Sequence, residues 1–126
     1  MSIVIDGTNG ITVNGSSVAV VNLPQTFSKP QKGTVTVDND GSFDMSVTNN
    51  FKCTPVSAFT LTFTNIAEGQ SGYILLVNPN GYAISAASTT KVGTSLLATL
   101  SSAGTFLISY LSDGTNVYCT SSGALA

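Results

Sequence analysis

Apolar and polar residues alternate with a period of two along much of this chain, and the alternating runs end at Gly, Asn or Asp. The clearest is Phe59-Thr-Leu-Thr-Phe-Thr64, which sets Phe59, Leu61 and Phe63 on one face and Thr60, Thr62 and Thr64 on the other. That spacing predicts a half-buried strand. The run Tyr73-Ile-Leu-Leu-Val77 lacks alternation and predicts a short central strand covered on both faces. Near the C-terminus, Thr105–Leu111 and Asn116–Thr120 flank the turn Ser112-Asp-Gly114 and predict a closing antiparallel pair.

Shorter runs fill the interval. Thr34–Val37 and Ser42–Thr48 surround Asp38-Asn-Asp-Gly41 and are expected to form a hairpin. Tyr82–Ser85 follows the turn Asn78-Pro-Asn-Gly81. In Ser95–Ser101 the positions of Leu96, Leu97 and Leu100 have helical spacing, with Gly104 as a cap, but the Ser and Thr flanks favour a strand. Strands at intervals of roughly eight to twelve residues, with turn chemistry between them and no long helix, predict an all-β fold. The expected architecture over residues 33–126 is an antiparallel β-sandwich or jelly roll, with nothing to support a parallel sheet.

Residues 1–22 read as a β-rich N-terminal arm. Three β-branched runs are punctuated by Asp6-Gly7, Asn9-Gly10 and Asn14-Gly15, the chemistry of tight hairpins. Strands this short are marginal alone, so the segment is either an arm ordered against the main domain or a neighbouring subunit, or a frayed tail. Ile3, Ile5, Ile11, Val13 and Val20 are its candidate assembly contacts, being too apolar for a comfortable solvated segment. Residues 23–32, with Pro24, Pro30, Lys29 and Lys32 and no sustained period, read as a linker.

Composition narrows the function. A chain of 126 residues fits one domain with a genuine core. Charged residues are only 8% of it and the net charge is -2, with four lysines and no arginine. Scattered lysines cannot displace counterions from phosphates, so no nucleic-acid partner is expected. Tyr73–Val77 is the longest apolar run and falls far short of a membrane span, which needs about 20 residues, so no membrane insertion is expected either. The N-terminus lacks the pattern of a secretory signal, and synthesis in the cytoplasm is the expectation. Surface polarity must come from Ser, Thr and Asn. An uncharged face such as Thr60, Thr62 and Thr64 suits packing against other copies.

Chemistry is sparse. Histidine is absent, which removes the commonest general base and a usual metal ligand, and no enzymatic activity is expected. Asp38, Asp40 and Asp44 form the one close carboxylate group and echo the opening of a calcium loop. Its twelfth position, where that loop needs a bidentate Glu, is Asn49, so a turn between strands is the better account and no metal or cofactor is expected. Cys53 and Cys119 lack metal spacing and are expected to be free buried thiols. Phe59, Phe63, Phe106 and Tyr73 occupy apolar strand positions and are expected in the core. The candidate ligand or receptor contacts are the turn residues Asn78, Asn80, Tyr82, Asp113 and Asn116.

Three stretches carry a resemblance: Gly33-Thr-Val-Thr-Val-Asp, Phe59-Thr-Leu-Thr-Phe-Thr-Asn leading into Tyr73-Ile-Leu-Leu-Val, and Phe106-Leu-Ile-Ser-Tyr-Leu-Ser-Asp-Gly-Thr-Asn-Val-Tyr. Together they resemble a β-sandwich module of bacteriophage fibre and virion surface proteins, in which a Trp is common near the position held here by Val117. The opening Asp6-Gly-Thr-Asn-Gly-Ile-Thr-Val-Asn-Gly looks like the short strands that precede such modules. The resemblance implies a virion structural protein assembled in the host cytoplasm. Without a long shaft between Met1 and Ala126, a homotrimeric capsid decoration or cement protein bound to the major capsid protein is expected. The alternative is a short tail-fibre or receptor-binding tip that meets a host surface glycan or receptor.

Overall fold

Each turn signal between residues 33 and 90 carries the chain out of one sheet and into a second, where a hairpin would have returned it beside itself. The structure is a computed structural model that describes residues 3–6, 10–13, 16–17, 24, 26 and 28–126. The chain forms two compact units, Met1–Lys32 and Gly33–Ala126.

In the first unit, strands β1 (Ile3–Asp6), β2 (Gly10–Val13) and β3 (Ser16–Ser17) form an antiparallel sheet in that order. Ile3 stands opposite Val13 and Ile5 opposite Ile11. Thr12 pairs with Ser17 and Val13 with Ser16, while the turn signals Asp6-Gly7, Asn9-Gly10 and Asn14-Gly15 fall wholly or partly outside the described residues. Val20 lies outside the described residues.

The second unit winds between two sheets. Strands β4 (Val35–Val37), β6 (Asn50–Cys53) and β8 (Glu68–Asn78) lie side by side and parallel in one sheet. Strands β5 (Ser42–Asp44), β7 (Phe59–Thr64) and β9 (Ile84–Ala86), which alternate with them along the chain, lie parallel in the other. The result is a solenoid-like coil of three turns. The first sheet is extended past β8 by β11 (Gly104–Asp113), antiparallel to β8, then by β12 (Val117–Ser121), antiparallel to β11, and by β10 (Thr90–Lys91), parallel to β12. Its order is β10-β12-β11-β8-β6-β4.

The all-β expectation holds, and so does the closing pair β11–β12. The expectation of no parallel sheet is corrected, and so is the hairpin around residues 38–41. The reason lies in where that turn sends its hydrogen bonds. Asp38 N–H donates to the Lys52 carbonyl (2.9 Å), the Asn39 side-chain oxygen accepts from Thr54 N–H (2.8 Å), and the Gly41 carbonyl accepts from Thr62 N–H (2.9 Å). All three reach the next turn of the coil and none crosses from β4 to β5. Gly41 sits at φ +82°, and a Cβ there would lie 2.0 Å from the Phe59 ring. Only glycine gives both the left-handed conformation and the close approach.

Residues stack in register through the coil. Phe43 is paired with Phe63, and Cys53, Leu76 and Phe106 form a row across three strands. The inward face of β7 is buried at Leu61 and Phe63, as its alternation predicts. Phe43 of one sheet packs on Phe51 of the other with ring centroids 5.0 Å apart, which closes the core between the layers.

Two further expectations are corrected. The stretch favoured as a strand at 95–101 is helix α1 (Thr94–Leu100). A strand would place Leu96 and Leu97 on opposite faces, whereas the helix turns them and fully buried Leu100 together onto the core. Ser101, in place of Gly104, ends it, and the Ser101 hydroxyl donates to the Leu97 carbonyl (2.7 Å) while accepting from Ile84 N–H (2.9 Å). The run Tyr73–Val77 is covered on one face only: Ile74 and Leu76 are buried, but Tyr73 is 54% exposed. Within Gly33–Ala126, Leu107 and Leu111 of β11 continue the same exposed face.

Candidate functional site

The turn residues singled out as ligand contacts do not gather into one site. β8 pairs antiparallel with β11 so that Asn78 opposes Gly104 and Glu68 opposes Asp113. The turn with Asn80 and Tyr82 leaves one end of β8, and the turn with Asp113 and Asn116 lies at the other, about 30 Å away for an eleven-residue strand.

Within the first turn the roles divide. Asn78 is fully buried. Its amide donates to the Tyr82 and Leu100 carbonyls, both at 3.0 Å, and its side-chain oxygen accepts from Tyr82 N–H at 2.9 Å. Every polar atom of that side chain shapes the turn, leaving none to a ligand. Asn80 is exposed and donates weakly to the Tyr82 hydroxyl (3.4 Å).

At the other end, Asp113 accepts from Asn116 N–H (2.7 Å) and Thr115 N–H (2.9 Å) on one oxygen and from the Tyr118 hydroxyl (2.9 Å) on the other. These bonds, the Asn116 one foremost, hold its carboxyl below the usual carboxylate range, and the same Asp113 contact raises the Tyr118 phenol. A donor set of this kind fixes a turn.

The carboxylates of the D-N-D-G-S-F-D stretch also serve turns. Asp40 accepts from Ser42 N–H (2.8 Å), and its side-chain interaction with Asp38 lowers its pKa. Partial burial raises that of Asp38. Asp44, at the far end of β5, accepts from Ser46 N–H and hydroxyl and from the Asn65 amide at 2.7 to 2.9 Å, and its pKa is lowered. Among the described residues no three His, Cys, Asp or Glu side chains converge to hold a metal.

Cys53 is fully buried and Cys119 partly so, and both thiols are free. Burial pushes each from the ordinary 9.0 up to about 12, so neither presents a thiolate nucleophile at neutral pH.

The expected assembly face of β7 is polar and largely occupied with itself. The Thr60 and Ser85 hydroxyls share a 2.9 Å hydrogen bond, and Thr62 donates to the Thr60 carbonyl at 3.0 Å. The sequence reading missed the outward face of the six-stranded sheet. There Val35, Asn50, Phe51, Tyr73, Leu75 and Leu107 line an apolar groove of about 300 Å³. Phe63 and Phe106 are buried as expected and Phe59 half-buried, whereas Tyr73 belongs to this outer surface. The even spacing Tyr73, Leu75, Val77 was the available signal, obscured because Ile74 and Leu76 between them are equally apolar.

No protein-family model, curated protein or solved structure matches the chain.

Proposed function

We propose that this chain is a non-catalytic structural protein of the bacteriophage particle surface, acting as a homotrimer in the manner of a capsid decoration or cement protein. The observation that supports it most is the open start of the coil. β4 and β5 each stand at the edge of their sheet with no further partner among the described residues. An open sheet edge is where another chain adds a strand. The apolar strands of residues 1–22 are the proposed contributor to such a contact, with a neighbouring subunit or the major capsid protein. We read the two layers joined at Phe43 and Phe51 as a sandwich wound from coils. The carboxylates of Asp38, Asp40, Asp44 and Asp113 serve turns, consistent with a building block.

A second reading, a short tail-fibre or receptor-binding tip, is favoured by the parallel winding itself, because coils stack along an axis and extend as shafts do. Asn80 and Tyr82 at one end, or Asp113 and Asn116 at the other, would then meet a host glycan or receptor. Immunogold labelling of purified particles with an antibody to this chain tests both. Dense label over the head is the expected result, label confined to the tail selects the second reading, and unlabelled particles contradict both.

A further inference from the structure

A sheet face that meets water ordinarily alternates to polar residues. The outer face of the six-stranded sheet does so at Asn50, Lys52, Ser71, Ser109 and Thr120, but carries large apolar side chains between them. Val35 and Val37 on β4 are 58 and 63% exposed, Tyr73 54%, Leu107 40%, Leu111 55% and Tyr118 49%. Register makes them one surface. Leu107 lies directly opposite Leu75, Leu111 opposite Tyr118, and Val35 and Tyr73 share a row through Asn50. The exposed parts of these six side chains amount to about 600 Å², against roughly 800 Å² per partner in a stable complex. That is at the upper limit for the largest apolar patch of an ordinary monomer.

We propose that this face is buried against the same face of other copies of the chain, the six-stranded sheets turned inward in the oligomer. The inference deepens the proposed function and rests on its self-association, though not on the particle. Closure supports this occupant, because three copies with this face turned to a common axis withdraw the patch of every copy from water at once. Charge supports it too. Lys52 and Lys91 lie in the outward rows with Asp113, which already accepts a hydrogen bond from Tyr118. Both signs are present and neither clusters, so a strongly charged partner finds no complementary field. The opposite sheet offers the contrast, because its hydroxyls at Thr60 and Ser85 are content in water.

The test is light scattering on the full chain at micromolar concentration, with Leu107→Glu, Val37→Lys and Thr62→Glu compared. The first two change exposed side chains on different strands, so the fold, read by circular dichroism, should survive. Wild type and Thr62→Glu are expected to run as trimers, while Leu107→Glu and Val37→Lys fall to a third of that mass, the 12.9 kDa of one chain. If folded Leu107→Glu and Val37→Lys both keep the wild-type mass, this interface is overturned while the trimer stands. A wild type that runs as a single chain overturns both.

Discussion

The Tyr110 hydroxyl donates a 2.7 Å hydrogen bond to the main-chain carbonyl of Asn49, joining the middle of β11 to the residue before β6 across 61 positions of sequence. The same carbonyl accepts from Tyr73 N–H at 3.2 Å. One oxygen thus ties the second coil to the third and to the antiparallel strand that follows. Tyr110→Phe keeps the ring contact with Phe63, centroids 5.0 Å apart, and removes only the hydroxyl. A loss of about 1 to 1.5 kcal/mol is expected in urea unfolding, with no change of m-value.

Gly72 makes that junction possible. A Cβ at this position would lie 1.7 Å from the Asn49 carbonyl oxygen and 2.9 Å from the Tyr110 hydroxyl. The first obstacle is backbone and cannot swing aside. Gly72→Ala is therefore expected to cost about 3 kcal/mol, twice the Tyr110→Phe effect or more, because it displaces both hydrogen bonds and the strand carrying them. Thermal melting of the two variants side by side checks the order.

Asn78 and Asn80 stand two residues apart in one turn with opposite roles. Asn78→Asp replaces an amide that donates to two carbonyls by a buried carboxylate facing them. A loss of roughly 3 kcal/mol at neutral pH is expected. Asn80→Asp changes an exposed group and should stay within about 0.5 kcal/mol. Equal melting temperatures for the pair would contradict the turn geometry.

Alkaline pH should destabilise the protein through its two thiols and the Tyr110 phenol, which burial likewise raises to about 12. Cys53 and Cys119 titrate near 12 when folded, and an unfolded thiol near about 8.5. A raised folded pKa contributes stability that is fully present below the unfolded value and is lost as pH rises through the folded one. The melting temperature is thus expected to fall between about pH 9 and 12. Cys53→Ala should flatten this fall while lowering stability at pH 7 by roughly 1 kcal/mol for the cavity left behind.

How far the sequence foretold this depends on what each signal encodes. Alternation in Phe59–Thr64 reports burial of one face, and it found Leu61 and Phe63 correctly. Asp-Gly and Asn-Gly report that the chain reverses, but the same φ and the same side-chain acceptors serve a hairpin and an arch between sheets. Only the long-range partners of Asp38, Asn39 and Gly41 distinguish them. Strand β6, Asn50–Cys53, is four residues long and was not legible locally. Its identity comes from pairing with β4 and β8. Asn78 looked like a surface turn residue because its burial is imposed by Leu100, which is 22 residues away. For the outer apolar face, an uninterrupted run Tyr73–Val77 conceals which side lacks a cover.

We propose a two-sheet coil that serves as a self-associating building block of a virus particle. A cryo-electron microscopy reconstruction of particles purified from cells that express this chain decides it most directly. Threefold clusters on the particle surface are expected, each subunit showing three parallel coils with the six-stranded sheets facing the common axis. Isolated subunits with that sheet turned to solvent, or particles with no density for the chain, would contradict it.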